Sequence, residues 1–447
     1  MSCSIKTAVI SIRGKKEIYQ RKIGGLTLVD RHILRFYYHG VKNIIILDEN
    51  KVLSDWEFSR DYQDLNLSFS TDATIASTYY FLAQGNMIFN KKILNLLESD
   101  CNQDEDKTLI RAVVGNKKDG ASWTAASKGI KLAEKYQWTG IALLPKSSFD
   151  GEKLKTAGAG QFLEEKLAHE EVKILENRNS LFFHVINNRK DASDTGRLLF
   201  YSLRKPQDGI IARTLNRPLS LPVSRLLAPL PFTPNQLSIL NGLLAVASVF
   251  FLVWGNSLLG LSFYLSGFLG GLFMQLCSIY DGCDGEIARV KYQYTHFGDW
   301  LDTIVDDITN CIYFAGIAVW AYYYTGQQRF IYMGIAAFVG QWIANYVMYY
   351  YLIKIAGTGN NQDYQVGFSD EEDGGVSGRV LNKVKYLTKR DFHLFMFFVL
   401  SLFGVLHIGA YLIFAFAVSA GVIFSIQHIQ LLVKGAPQND QTDDQTD

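Results

Sequence analysis

The chain has 447 residues, 44 basic and 43 acidic side chains, a formal net charge of +1 and 48% hydrophobic residues. The length suits two or three domains, and the near-neutral balance provides no basic surface for a nucleic acid, so no nucleic-acid partner is expected. The five cysteines, Cys3, Cys101, Cys277, Cys283 and Cys311, form no CxxC pair and read as reduced thiols.

The opening residues, MSCSIKTAVISIRGKKE, lack a long apolar core and a small-residue cleavage pattern, so no signal peptide is expected. TAVISI (7–12) and NIIILD (43–48) are short β-rich runs, and LVDRHILRFYYHGV between them has helical spacing with a stop at Gly40. WTGIALLP (138–145) and VKILEN (172–177) read as further strands, KGIKLAEKYQ and GQFLEEKLAHEE as helices. Strands alternating with helices predict an α/β domain over 1–200, with a mostly parallel sheet covered on both faces.

Residues 201–236 mix basic and apolar side chains and contain several prolines, which fits an amphipathic segment lying in a membrane interface ahead of a spanning helix; an ordinary linker is the alternative. From 237 to 434 the chain is mostly apolar in blocks of about 20 residues, the length that crosses a bilayer. Six spans are expected, at 237–254, 258–280, 300–325, 329–354, 391–408 and 410–433. Arg213, Arg217 and Arg225 precede the first, Arg289 and Lys291 follow the second, and Lys354, Arg379, Lys383, Lys385, Lys389 and Arg390 lie between the fourth and fifth. All fall on one side, so the positive-inside rule places both termini in the cytoplasm. Residues 357–378 read as a flexible loop, and 435–447 as a disordered tail.

The stretch DGCDGEIARVKYQYTHFGDWLDTIVDD (281–307) places seven carboxylates at a membrane boundary. Charge at that depth is costly and marks function. Asp281 and Asp284 share a helix face, as do Asp302 and Asp306. Small residues at Gly285 and Ala288 let another backbone approach. Four carboxylates brought together need neutralising, and Mg²⁺ or Mn²⁺ with oxygen ligands does that; two metals would suit displacement at a phosphate. Asp299, Asp307 and Glu286 read as solvated or supporting groups, His296 and Cys283 as bystanders. A cation pathway in a transporter is the competing use of such acids.

Asp281, Asp284, Gly285, Ala288, Arg289, Gly298, Asp302 and Asp306 reproduce D-x2-D-G-x2-A-R-x8-G-x3-D-x3-D. This resembles the signature of the CDP-alcohol phosphotransferases, membrane enzymes of phospholipid synthesis. A chance match at eight fixed positions is expected on the order of 10⁻⁷ per chain. The resemblance implies that Asp281, Asp284 and Asp302 bind the metals, with Asp306 a further ligand or the base for the acceptor hydroxyl. It implies that Gly285, Ala288, Arg289 and Gly298 shape the CDP pocket, with Arg289 facing the diphosphate. It further implies a homodimer, a CDP-alcohol donor and an alcohol acceptor, one of them a lipid, in a cell inner membrane or the endoplasmic reticulum. TPNQLS (233–238) resembles the family's opening of the first span. KYLTKRDFHLF (385–395) supplies cations either for a phosphate or headgroup or for positive-inside anchoring.

KPQDGIIARTLNRPLS (205–220) resembles the junction of bifunctional proteins that fuse an inositol-phosphate cytidylyltransferase to such a phosphotransferase. AVISIRG and RKIGGLTLVDRHILRFYYHGVKNIIIL keep an outline of the nucleotidyltransferase domain. Its phosphate-cradling glycine loop is missing after Gly14. Asn86 and Asn187 stand where the resemblance places two metal-binding aspartates. The expectation is a multi-domain chain, a degenerate nucleotidyltransferase-like α/β domain ahead of an all-α membrane domain of six transmembrane helices. Alternatives are an active cytidylyltransferase half, or a catalytically silent scaffold or transporter.

Overall fold

The computed structural model describes residues 5–58, 60–104, 108–116, 136–169, 172–176, 182–204, 208–359 and 389–434. Residues 360–378 of the expected loop, the cations Arg379, Lys383 and Lys385, most of KGIKLAEKYQ and the tail therefore lie outside the described residues. The chain divides into two compact units, Met1–Leu203 with Ala228–Leu230, and Arg204–Leu227 with Pro231–Asp447.

In the first unit the order is β1 Thr7–Ile12, α1 Lys16–Gln20, α2 Leu28–Tyr37, β2 Asn43–Asp48, β3 Asn66–Ser68, β4 Tyr79–Gln84, β5 Met87–Phe89, α3 Lys92–Gln103, β6 Ile110–Asn116, β7 Tyr136–Pro145, α4 Gly151–His169, β8 Val172–Glu176, β9 Phe183–Val185 and α5 Arg189–Tyr201. Seven strands form one sheet in the order β3-β2-β1-β4-β7-β6-β8. β1 is buried along its whole length and pairs in parallel with β2 and β4, Val9 lying beside Ile45 and Leu82. A strand covered on both faces has no room for a polar alternation, which is why TAVISI is almost continuously apolar. The sheet is mixed, because β7 runs antiparallel to both β4 and β6. Tyr136 and Gln137, expected as the end of a helix, begin β7. Thr27 caps α2 by accepting from the Asp30 N–H at 3.2 Å, and the helix gives way to Gly40 at φ +95°. β5 and β9 pair separately, with Met87 opposite Val185.

In the second unit a π-helical turn, Ala212–Asn216, leads into α6 Arg217–Leu227, then α7 Pro234–Leu259, α8 Phe263–Tyr280, α9 Gly282–Lys291, α10 His296–Thr325, α11 Arg329–Tyr351, α12 Arg390–Leu402 and α13 His407–Lys434. Thr233 and Gln236 cap α7 reciprocally, with Pro234 in the first turn. The packed centre of this unit includes Leu252, Met274, Tyr313, Trp320, Phe330 and Phe397. α11 and α13 cross where Gly340 meets Gly421; a Cβ on Gly421 would lie 2.8 Å from the Gly340 carbonyl oxygen.

Five helices among the described residues are long and apolar enough to cross a membrane: Pro234–Leu259, Phe263–Lys291, His296–Thr325, Arg329–Ala356 and His407–Ile426. The remaining expected span, 391–408, overlaps the 13-residue helix α12. At 1.5 Å per residue this is roughly 20 Å, short of a ~30 Å hydrocarbon core. The apolar run continues past it, but Gly404 adopts φ +70° and closes a Schellman turn, with Gly404 N–H on Ser401 O and Val405 N–H on Leu400 O.

Candidate active site

α9 follows α8 through Asp281, whose backbone stays helical at φ −46° and ψ −40° with its N–H on the Cys277 carbonyl, and α10 follows a short turn. Along α9, positions 281, 284, 285 and 288 recur at i, i+3, i+4 and i+7 and share one face, while 282, 286 and 289 share the next. On α10, Asp302 and Asp306 lie one turn apart.

The two helices bring the carboxylates together. Oxygens of Asp281, Asp302 and Asp306 all lie within 4.8 Å of one another. Asp284 comes within hydrogen-bonding reach of Asp302, and Asp281 of Asp306. α7 supports the group from the side. The Ser238 hydroxyl donates to Asp284 Oδ2, and Asn241 Nδ2 donates to Asp281 Oδ1 at 3.2 Å. Asp284 Oδ1 accepts from the Gly285 N–H at 2.5 Å.

Among the described residues, one cation enters the cluster. Arg390, the first residue of α12, donates through Nη1 to Asp281 Oδ1 at 3.0 Å and Asp306 Oδ2 at 2.6 Å. Its other nitrogens reach Asn310 Oδ1 at 3.0 Å and Thr309 Oγ1 at 3.3 Å. Sequence reasoning placed Arg390 among cations for a substrate phosphate or for anchoring; the fold instead sets it against the carboxylates. Asp306 Oδ1 stays buried with no hydrogen-bond donor.

The glycines and the arginine of the motif have separate surroundings. The Cβ position of Gly285 is open, with nothing within 4 Å, so no backbone packs against that point. Gly298 donates its N–H to the capping Thr295 hydroxyl at 2.9 Å, and a Cβ there would lie 3.2 Å from Asn235 Oδ1 on α7. Ala288 shares the aspartate face. Arg289 falls on the face of Gly282 and Glu286, near Arg217, and its Nε is buried without a partner.

The other acids, expected as solvated or supporting groups, have different surroundings. Glu286 is fully buried and accepts from Arg217, Ser220 and Ser224. Asp307 accepts from the Tyr349 hydroxyl at 2.6 Å. Asp299 is exposed in the first turn of α10. His296 contacts the Gly357 carbonyl at 3.2 Å, and Cys283 is buried against α6.

Residues that hold a divalent cation must offer clustered hard oxygens with spare coordination capacity. Three carboxylates within 4.8 Å and the orphaned Asp306 Oδ1 meet that requirement.

In the first unit, β5 and β9 place Asn86 beside Asn187. The Asn86 Nδ2 donates to Asn187 Oδ1 at 3.3 Å, and Gln84 Nε2 donates to Asn86 Oδ1 at 2.9 Å. Gln84 and Asn86 line a cavity of about 380 Å³ together with Ser11, Arg13, Tyr19 and Gly158.

Residues 232–420 match the family described as CDP-alcohol phosphatidyltransferase. A bifunctional IPC transferase and DIPP synthase of Aquifex aeolicus is 30% identical over 198 residues, 44% of this chain and 39% of that protein. A phosphatidylinositol phosphate synthase of Corynebacterium glutamicum is 31% identical over 127 residues, 28% of this chain and 54% of that protein. The chain thus spans well under two thirds of the length of either relative. A solved 4-diphosphocytidyl-2C-methyl-D-erythritol synthase of Anaerococcus prevotii covers 44% of this chain and 98% of its own, at 13% identity and a TM-score of 0.26, too slight a likeness to argue from. The five apolar helices together with the matched family identify an integral membrane protein. Residues 232–420, carrying the clustered aspartates, are a CDP-alcohol phosphatidyltransferase domain.

Proposed function

We propose that this chain transfers a substituted phosphate from a CDP-alcohol to an acceptor alcohol and releases CMP, in phospholipid or inositol-phosphodiester synthesis. The observation that carries the reading is the convergence of Asp281, Asp302 and Asp306 to within 4.8 Å inside a domain matched to that family. Relatives named as phosphatidylinositol phosphate synthases favour a polyol acceptor or its phosphate.

Asp281, Asp284, Asp302 and Asp306 would hold Mg²⁺ or Mn²⁺, which when bound neutralises the diphosphate and stabilises charge on the leaving CMP. The chain's own residues do the rest. Ser238 and Asn241 orient Asp284 and Asp281. Gly285 leaves open space beside the aspartates for the donor, and the unpartnered Arg289 Nε offers a donor to a phosphate oxygen. Asp306 Oδ1, an acceptor with no donor, takes the proton from the acceptor hydroxyl. The alkoxide oxygen forms a bond to phosphorus, the bond from phosphorus to the CMP oxygen breaks, and CMP leaves with that electron pair.

The reading includes a sixth crossing completed by α12, both termini in the cytoplasm, and a homodimer. It also includes α6 as an interfacial helix: Leu219, Val223 and Leu226 form an exposed apolar stripe at i, i+4 and i+7. The domain boundaries follow as 1–200, 201–236, 237–434 and 435–447. The first unit keeps a nucleotidyltransferase-like form without cytidylyl transfer, since Asn86 and Asn187 bond each other where two carboxylates would be needed for a metal.

The deciding experiment is CMP release by purified protein with Mg²⁺, using CDP-diacylglycerol and CDP-inositol as donors and inositol, inositol phosphate, glycerol phosphate and serine as acceptors. Release with one pair supports the reading and names the substrates. Folded, metal-binding protein that releases no CMP with these or other CDP-alcohols overturns it.

A further inference from the structure

We infer that Glu286 is a positioning residue for the carboxylate site, a role that rests on the transferase reading above: it fixes the rotation of α9 through hydrogen bonds from α6. Its side chain is fully buried, two residues after Asp284 and on the neighbouring helix face. Oε1 accepts from Arg217 Nη1 at 2.6 Å and from the Ser220 hydroxyl at 2.8 Å; Oε2 accepts from the Ser224 hydroxyl at 2.6 Å. The three donors sit at i, i+3 and i+7 of α6, one face of that helix.

The surrounding residues are built for this contact. Gly282, one turn before Glu286, leaves room for the guanidinium: a Cβ there would lie 2.7 Å from Arg217 Nη1. The Cys283 thiol reaches the Ser220 carbonyl at 3.8 Å. Arg217 is itself fixed by Asp208 through Nε at 2.9 Å and Nη2 at 3.2 Å. Burial opposes its charge, yet Asp208 and Glu286 raise the guanidinium above its ordinary value. Apolar packing alone is non-directional and would let α9 turn about its axis. A carboxylate saturated by three donors admits one rotation, and that rotation carries Asp281 and Asp284 toward Asp302 and Asp306. The contact also explains why the junction before the first span carries Arg217, Ser220 and Ser224 at this spacing.

The test uses the full chain in three forms: wild type, Glu286→Gln, and the pair Ser220→Ala with Ser224→Ala, which removes donors from the opposite side without touching the carboxylate. Mn²⁺ affinity is read by electron paramagnetic resonance, and CMP release by kcat and KM. Glu286→Gln is expected to weaken Mn²⁺ binding by about tenfold and lower kcat by about 10–100-fold, the range for residues that orient metal ligands. The acceptor KM should stay within about twofold, as expected when ground-state binding is untouched. The serine pair should move in the same direction by less. Wild-type Mn²⁺ affinity and kcat in both variants would overturn the inference, as would a lowered melting temperature alone. If wild type binds Mn²⁺ but releases no CMP, the transferase reading fails, and the Mn²⁺ shift still decides whether Glu286 positions the carboxylates.

Discussion

Arg390 and Asp306 are 84 positions apart in sequence and 2.6 Å apart in the fold, the guanidinium lying between Asp306 and Asp281. With Asn310 and Thr309 occupying its other nitrogens, Arg390 is the positive charge that the described residues set within the aspartate cluster. It neutralises only part of the carboxylate charge, which leaves the remainder for divalent cations.

Arg390→Ala should therefore make the protein more dependent on metal. Removing one partner of this partly buried ion pair leaves the remaining carboxylates without their counter-ion and lowers stability. The variant should melt well below wild type in EDTA, and Mg²⁺ should raise its melting temperature by more than it raises that of wild type. Equal Mg²⁺ shifts in the two proteins would mean that Arg390 does not balance the aspartates.

Asp302→Asn and Asp281→Asn should abolish CMP release while leaving the protein folded. The two readouts separate. Losing one of several mutually repelling carboxylates removes repulsion, so Asp302→Asn should melt no lower than wild type in EDTA, and its Mg²⁺ stabilisation should shrink. Retained turnover in either variant would count against the proposed site.

The motif was legible because its chemistry is local. Asp281 and Asp284 at i+3, and Asp302 and Asp306 at i+4, declare their shared faces from spacing alone. Arg390 and Glu286 were not legible in the same way. Nothing near Arg390 indicates that α12 delivers it to Asp281, and nothing near Glu286 indicates that Ser220 and Ser224 lie opposite; such partners exist only after tertiary packing. In the apolar run at 391–408, composition does not reveal that Gly404 takes a left-handed turn. In the first unit, β1 and β2 announce themselves as apolar β-branched runs. The antiparallel placement of β7 is a choice of neighbours that strand composition does not encode.

The adjacency of Asn86 and Asn187 allows a test of the first unit. Two amides carry no charge to hold Mg²⁺ against a triphosphate, so the full chain should turn over no CTP with Mg²⁺ and an inositol phosphate. Converting both, Asn86→Asp with Asn187→Asp, places two carboxylates where the amides now bond at 3.3 Å. The double variant in an Asp302→Asn background should gain a Mn²⁺ site that the single background lacks. Detectable CTP turnover by Asp302→Asn alone would show that the first unit is an active transferase.

His32 predicts how the first unit responds to acid. The ring is buried on α2, with Nε2 against the Gly85 carbonyl at 3.2 Å, so Nε2 carries the proton, and Nδ1 has no partner. Burial above all, and then the nearby Arg35 charge, push the imidazole down to about 3 from an ordinary 6.5. The sign follows from proton counts. Between pH 6.5 and 3 the unfolded chain binds a proton at this position that the folded chain refuses, so stability is full above pH 6.5 and falls as the pH drops. The loss is about 1.4 kcal/mol per pH unit across that window. His32→Gln, which keeps a donor for Gly85 and cannot titrate, should flatten this part of the melting-temperature profile between pH 6.5 and 4. A variant profile parallel to wild type would show that His32 is protonated in the folded protein or that other groups govern the acid response.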